Sequence, residues 1–298
     1  MTADGRDAAP WIDRRVMTGD GIGLHCRDYP GPVGVDAGAR PPVLCLPGLT
    51  RNCRDFEPLA LHLAARHRVL TPDLRGRGRS DHDPDWRRYR LDAYVADVLT
   101  LLDALGVAQV VVVGTSLGGL VGMFLAAGHR ARVAGLVLND IGPELDPRGM
   151  LRIATGVGTA RAVATWAEAA ADARAANEIA LPDLDEAGWL RFARAVYREE
   201  APGRIVRDMD PMIGPALREP SASTPDFWAA FASLDGLPML SIRGELTDLL
   251  SEGTFARMLA RHPDMQACRV PRRGHAPTLD EPESRAALDR FLAPWAAR

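Results

Sequence analysis

The stretch Val110-Val111-Val112-Val113-Gly114-Thr115-Ser116-Leu117-Gly118-Gly119 constrains this chain more than any other. Four β-branched residues in a row favour a buried strand, because branched side chains pack well on a pleated surface. The run ends in a G-x-S-x-G pattern, and the apolar, Gly-punctuated residues 117–127 read as a helix packed closely beneath it. A Ser on so sharp a strand-to-helix turn takes a strained backbone, and the glycines on either side remove the Cβ atoms that would clash. Its hydroxyl then stands clear of the sheet while the next N–H points at the same space. That is a nucleophile with half of an oxyanion hole. The plainer alternative, a turn in which Ser116 only caps a helix, fits less well with a strand before it and a helix after.

At 298 residues and 47% apolar, the chain can bury a sizeable core and suits one domain with an insertion, or two small ones. A net charge of -3 gives no electrostatic reason to expect nucleic acid. The Arg-rich segment Arg75-Gly76-Arg77-Gly78-Arg79 and the pair Arg87-Arg88 have Asp73, Asp81, Asp83 and Asp85 close by, and read as solvated turns. A phosphate-binding role for that segment lacks both a Lys and a G-x-G-x-x-G context. The sequence contains no Lys, which excludes Schiff-base chemistry, pyridoxal phosphate anchoring and a Walker A loop. Cys26, Cys45, Cys53 and Cys268 show no C-x-x-C spacing and no accompanying His pair, so neither a zinc site nor any other metal or cofactor is expected. The polar residues 1–10 lack an apolar h-region, so a cytoplasmic location with reduced thiols is the expectation. Residues 107–128 carry no formal charge and imitate a membrane span, but the β-branched first half and the Gly-Thr-Ser break argue for strand, turn and helix.

Strand signals alternate with helical stretches, the pattern of an α/β fold with a mainly parallel sheet. Residues 14–17 and 22–29 read as a hairpin, 30–42 as a Gly/Pro-rich loop, 43–46 as a buried strand and 56–65 as a helix. A strand at 68–71, an amphipathic helix at 91–105, the valine strand and an apolar strand at 133–138 follow, the last ending in Asn139-Asp140. From 142 to 234 no convincing strand occurs, only Ala-rich helical patterns, including one over residues 189–197 with Asp185 as its N-cap. Alternation resumes at 239–243, with a helix near 252–261, a strand at 267–270 and a closing helix from Pro282. The organisation expected is therefore a core of residues 1–141 and 235–298 around a helical cap of residues 142–234.

A Ser hydroxyl is a poor nucleophile unless a base accepts its proton and a carboxylate orients that base. Of the seven His residues, His275 is favoured, because Pro271-Arg272-Arg273-Gly274-His275-Ala276-Pro277 follows the last strand, where a parallel sheet presents its carboxyl edge. His25 falls in the hairpin, His62, His67, His129 and His262 on or near helix ends, and His82 in a charged turn; these read as surface or capping residues. For the acid, Asp248 in Gly244-Glu245-Leu246-Thr247-Asp248 is preferred, with Glu245 and Asp140 as competitors. Leu46-Pro47-Gly48-Leu49-Thr50 suits the second oxyanion donor, since Gly48 lets the backbone turn tightly and leaves the Leu49 N–H free beside that of Leu117.

On Leu46-Pro47-Gly48-Leu49, residues 72–80, Gly114 to Gly119, residues 244–248 and Gly274-His275, the chain resembles the α/β-hydrolase superfamily, over nearly all of its length outside the helical insertion. The resemblance implies Ser116 as nucleophile, Asp248 as acid, His275 as base, and Leu49 and Leu117 as oxyanion donors. Many members of the superfamily carry His-Gly where this chain has Pro47-Gly48; the donor there is a backbone N–H, so the hole is expected to survive. Dehalogenases and epoxide hydrolases of the superfamily use Asp at the elbow, which leaves them disfavoured.

The expected activity is hydrolysis of a small to medium, largely apolar carboxylic ester or lactone by water, with no nucleic-acid or membrane partner and an undefined oligomeric state. A C–C bond hydrolase of a β-dicarbonyl compound and a non-catalytic ligand-binding member of the fold are the alternatives. Trp166, Trp189, Met212 and Trp228 in the insertion are expected to face an apolar pocket, and Arg51 to bind a polar or carboxylate end of the substrate.

Overall fold

The computed structural model describes residues 9–32, 40–159, 161–219 and 225–296. Residues 1–8, and residues 33–39 of the Gly/Pro-rich loop read from the sequence, lie outside the described residues. The chain opens with β1 (Ile12–Met17), β2 (Gly23–Tyr29) and β3 (Val43–Leu46), then α1 (Glu57–Leu63), β4 (Val69–Pro72) and α2 (Leu91–Ala104). Next come β5 (Val110–Thr115), α3 (Leu117–Gly128) and β6 (Val133–Asn139).

Between β6 and the next sheet strand lies an insertion: α4 (Pro147–Gly156), α5 (Trp166–Asn177), α6 (Glu186–Val196), β7 (Tyr197–Ala201), β8 (Arg204–Arg207), α7 (Ile213–Arg218) and α8 (Phe227–Ala232). The chain then returns with β9 (Met239–Gly244), α9 (Glu252–Arg261), β10 (Gln266–Val270) and α10 (Pro282–Leu292).

Eight strands form one sheet in the order β1-β2-β4-β3-β5-β6-β9-β10. β1 and β2 are antiparallel to their neighbours, and β4, β3, β5, β6, β9 and β10 pair in parallel in that order. The central strands are buried on both faces: every residue of β3 and β4 is buried, and Val110 to Val113 have no exposed surface. Burying each of those valines contributes roughly 1.5–3 kcal/mol relative to leaving it in water. One face packs on α2 and α3 and continues into the insertion, and the other packs on α1 and α10. A separate small core forms within the insertion around Trp189, Tyr197 and Ile205.

The uncharged run at 107–128 is β5 followed by the twelve-residue α3. Among the described residues no helix is long and apolar enough to cross a membrane.

Two features depart from the sequence reading. The insertion contains an antiparallel hairpin, β7 with β8, where no strand was expected, and Tyr197 opens that hairpin instead of closing a helix. Its residues, YREEA and RIVR, are mostly charged and only partly buried, so the alternation that marks a strand is weak; Gly203, at φ +73°, makes the turn. The Arg-rich segment is also not a solvated turn throughout. Arg75 is 3% exposed and donates to Asp97, Asp83 and Asp20, while Arg77 is 0% exposed.

The registers fix the carboxyl edge of the sheet. Leu46 pairs with Gly114, Thr115 with Asn139, Asn139 with Ile242, and Val270 with Gly244. The residues that follow β3, β5, β6, β9 and β10 therefore emerge side by side.

Candidate active site

Ser116 sits at φ 52° and ψ −118°, between β5 and α3, and its N–H donates to Asn139 O at 3.0 Å. A side chain in the left-handed region is strained, and the close packing around it maintains the turn. A Cβ on Gly114 would lie 2.4 Å from Gly118 O, and one on Gly118 would lie 2.0 Å from Leu46 O. The start of α3 can thus press against the ends of β5 and β3 only because both positions are glycine.

His275 reaches Ser116 from the loop after β10. Its Nε2 lies 2.8 Å from Ser116 Oγ, and its Nδ1 lies 2.8 Å from Asp140 Oδ2. The Asp140 side chain is fully buried at the end of β6, with φ 55°, and its N–H donates to Ile242 O at 2.7 Å. Two further donors hold its carboxylate: Gly244 N–H to Oδ1 at 2.8 Å and the Thr247 hydroxyl to Oδ2 at 2.6 Å. Asn139, one residue earlier, donates from Nδ2 to Thr115 Oγ1 at 3.0 Å and to Pro277 O at 2.9 Å, which ties the His275 loop to the β5–β6 edge.

The acid preferred from the sequence, Asp248, is not the carboxylate against His275. Asp248 makes a two-point ion pair with Arg152 of α4, at 2.6 and 2.7 Å, and this pairing holds its carboxyl below the usual range. α4 packs directly on the Asp248 backbone, where Gly149 N–H donates to Asp248 O at 3.1 Å. The Glu245 carboxylate accepts the Arg272 N–H at 2.9 Å, and among the described residues no hydrogen bond joins it to His275. Register explains the outcome. Asp140 is one residue past the Thr115–Asn139 pair and so stands beside Ser116, whereas Asp248 lies four residues beyond β9, under the insertion.

The proposed oxyanion residues flank this row. A Cβ on Gly48 would lie 3.7 Å from the Ser116 Cβ, so the Leu46–Leu49 segment passes beside Ser116. Among the described residues, no acceptor takes the N–H of Leu49 or of Leu117. Downstream, Asn52 and Arg54 both donate to Ala195 O, at 2.9 and 3.1 Å, and Arg54 reaches Asp208 at 2.7 Å. The insertion is therefore seated against the segment that follows the Gly48 turn.

Arg51 borders the site through its stem, since its Cγ would lie 3.6 Å from a Cβ on Gly48. Its guanidinium stacks on Phe192, 4.2 Å from the ring centre, and pairs with Asp55. The aromatic residues expected at a pocket have other partners. Trp189 is buried in the insertion's own core against Phe192, Trp166 lies under the Arg194 guanidinium, and Trp228 donates to Glu144 with Arg257 over its ring. Met212 is 37% exposed at the start of α7.

Three of the other His residues are buried: His25 and His67, contrary to the surface or capping reading, and His262, which does cap α9 through its N–H to Met258 O at 3.0 Å. His25 lies between Asp73 at 2.7 Å and Asp13 at 2.9 Å. One ligand atom each from His25, Cys53 and Asp73 lie within 4.8 Å of one another, close enough to hold a metal ion. The Asp73 oxygens, however, are already taken by the Cys53 and Arg79 N–H groups and the His25 ring. Burial also pushes the Cys53 thiol far above its ordinary range. The trio fits a hydrogen-bonded strut better than a metal site.

The family model for the alpha/beta hydrolase fold matches residues 41–236. A 3-hydroxybutyrate-oligomer hydrolase from Cupriavidus necator is 35% identical over 266 residues, covering 85% of this chain and 89% of that protein. A 2-(acetamidomethylene)succinate hydrolase from Mesorhizobium japonicum is 26% identical over 296 residues, with 95% of each chain covered. The crystal structure of an alpha/beta hydrolase from Novosphingobium aromaticivorans superposes with a TM-score of 0.89 at 45% identity, covering 96% of this chain and 99% of that one.

Proposed function

The chain belongs to the α/β-hydrolase fold family, and on that footing we propose that it is a serine hydrolase of carboxylic esters. The observation that carries this reading is the unbroken row Ser116 Oγ, His275 and Asp140, with 2.8 Å at each contact. His275 Nε2 takes the Ser116 proton as Oγ attacks the ester carbonyl. The imidazolium that forms is stabilised and kept in orientation by Asp140 at Nδ1. Negative charge develops on the carbonyl oxygen, to which the Leu49 and Leu117 N–H groups donate as the oxyanion hole. His275 then protonates the leaving alkoxide, and in the second half of the cycle it activates water against the acyl-Ser116.

The substrate class follows from two supports. The triad and backbone donors serve any ester or lactone of modest size. The relative that hydrolyses 3-hydroxybutyrate oligomers, at 35% identity, favours a short oligoester of a hydroxy acid within that class. The insertion, residues 142–234, would act as a cap over the site, joined to the core through Arg152–Asp248 and Arg54–Asp208.

The test is direct. A fluorophosphonate probe should label Ser116, and p-nitrophenyl esters, small lactones and a 3-hydroxybutyrate dimer should be turned over by the full chain. Ser116→Ala should abolish both labelling and turnover; retained hydrolysis at the wild-type rate would sink the reading. A β-diketone in the same panel, with product analysis, separates ester from C–C hydrolysis, because one triad serves both.

A further inference from the structure

Arg77 is a fully buried cation that none of the hydrolytic steps above employs. Its neighbour Arg75 is matched by Asp97, Asp83 and Asp20, but among the described residues no carboxylate pairs with Arg77. Burying a guanidinium without a counter-charge is costly, so the bonds it makes identify what holds it in place. Its Nη1 donates to Arg75 O at 2.7 Å and to the Tyr94 hydroxyl at 2.8 Å, with the Tyr94 ring centre 4.9 Å away. Its Nε donates to Leu49 O at 2.9 Å, and Nη2, on the same edge of the guanidinium plane, has no partner.

Leu49 is the residue whose N–H serves as the second oxyanion donor. It occupies the first central position of a β-turn closed by the Arg51 N–H to Gly48 O bond at 3.1 Å. The common turn types differ chiefly in the orientation of their central peptide, which here is the Leu49 carbonyl with the Thr50 N–H. A charged donor on that carbonyl holds one orientation against the other. The turn that carries Arg77 is itself clamped to the insertion, since Gly78 N–H donates to Asp208 O at 3.1 Å and Asp210 N–H to Gly76 O at 2.7 Å.

We propose that Arg77 is a positioning residue for the oxyanion hole: its Nε–H pins the Leu49 carbonyl, which fixes the turn that presents the Leu49 N–H beside Ser116. The proposal rests on Ser116 being the nucleophile and adds a requirement that the triad alone does not impose. Loss of the pin leaves Ser116, His275 and Asp140 in contact and loosens only the donor that meets the developing oxyanion.

The experiment uses the full chain with Arg77→Met, which keeps the stem without the donors, and Arg77→Lys, which keeps the charge without the Nε–H. For each folded variant, kcat and KM on p-nitrophenyl butyrate are measured, together with inhibition by a trifluoromethyl ketone that forms a tetrahedral adduct on the serine. The expected result is a fall in kcat of about ten- to a hundredfold, KM within about threefold, and a parallel loss of ketone affinity. A purely structural role would lower the melting temperature without that parallel loss. Either variant keeping kcat within about threefold, or losing kcat with ketone affinity unchanged, overturns the proposal. If Arg77→Met does not fold, Arg77→Lys decides alone by the same criteria. Failure of the wild-type chain to be labelled by a fluorophosphonate would instead defeat the Ser116 reading, so the two failures are distinguishable.

Discussion

The Gly244 N–H donates to Asp140 Oδ1 over 2.8 Å, so the last residue of β9 grips a carboxylate delivered by β6. With the Thr247 hydroxyl on the other oxygen, Asp140 is held from two sides and presents Oδ2 to His275. Asp248 is only one residue beyond Thr247, but its carboxylate is committed to Arg152.

Exchange of the two acids should therefore give opposite results. Asp140→Asn is expected to lower kcat/KM by about a thousandfold or more, because an amide can neither stabilise the imidazolium nor enforce the correct tautomer. Asp248→Asn should cost less than about tenfold, acting only through the insertion's attachment. Steady-state kinetics on one ester decides; a larger loss at Asp248 would reverse the assignment.

Thr247→Val keeps the shape of the side chain and removes the 2.6 Å hydroxyl bond to Asp140. A hydrogen bond to a charged group is worth about 1.5–3 kcal/mol, so kcat/KM should fall about ten- to a hundredfold. Thr247→Ser should restore most of it. Activity of the Val variant within twofold of wild type would show that Gly244 alone holds the carboxylate.

The His275 loop is fastened by Glu281, which accepts from the Thr278 N–H and hydroxyl at 2.9 Å each, from Ser284 at 2.8 Å and from Arg273 at 2.8 Å. Burial pushes this carboxyl upward, but the backbone N–H groups and hydroxyls around it prevail and hold it below its ordinary value of 4.5. A depressed folded pKa contributes stability above the unfolded value, and that contribution is lost as pH falls through the folded one. Glu281→Gln should thus be about 1–3 kcal/mol less stable than wild type at pH 7. The gap should close as pH drops below 4.5, measured by denaturant unfolding at a series of pH values. A gap independent of pH would mean that the carboxylate charge contributes nothing.

Gly118→Ala would place a methyl 2.0 Å from the Leu46 carbonyl oxygen, a backbone atom that cannot swing aside. The start of α3 must back away from β3, at an expected cost of about 3 kcal/mol or more. Urea unfolding measures it, and a loss under about 1 kcal/mol would show that the helix has room to shift.

Much of this was legible in the sequence because it is encoded locally. Four valines before Gly-Thr-Ser specify a strand and an elbow, and a His two residues before Pro277, just after the last strand, falls at the carboxyl edge of any parallel sheet. The carboxylate that meets His275 was not legible in the same way. Asp140 and Asp248 both follow apolar strands, and only the lateral order β5-β6-β9 and the Thr115–Asn139 register decide which stands beside Ser116. The β7–β8 hairpin was hidden by its charged residues. Arg77 was hidden because its burial depends on partners at Leu49 and Tyr94, far from it in sequence.

The strand order has a consequence for when the molecule becomes reactive. Ser116 and Asp140 are set by neighbouring strands in the middle of the sheet, but His275 hangs from the loop after β10, a margin strand whose one partner among the described residues is β9. If β10 peels away, Ser116 loses its contact with His275 while the central valines stay packed. A sheet frayed from that side would keep its valine core but lose the Ser116–His275 contact on which the proposed hydrolysis depends.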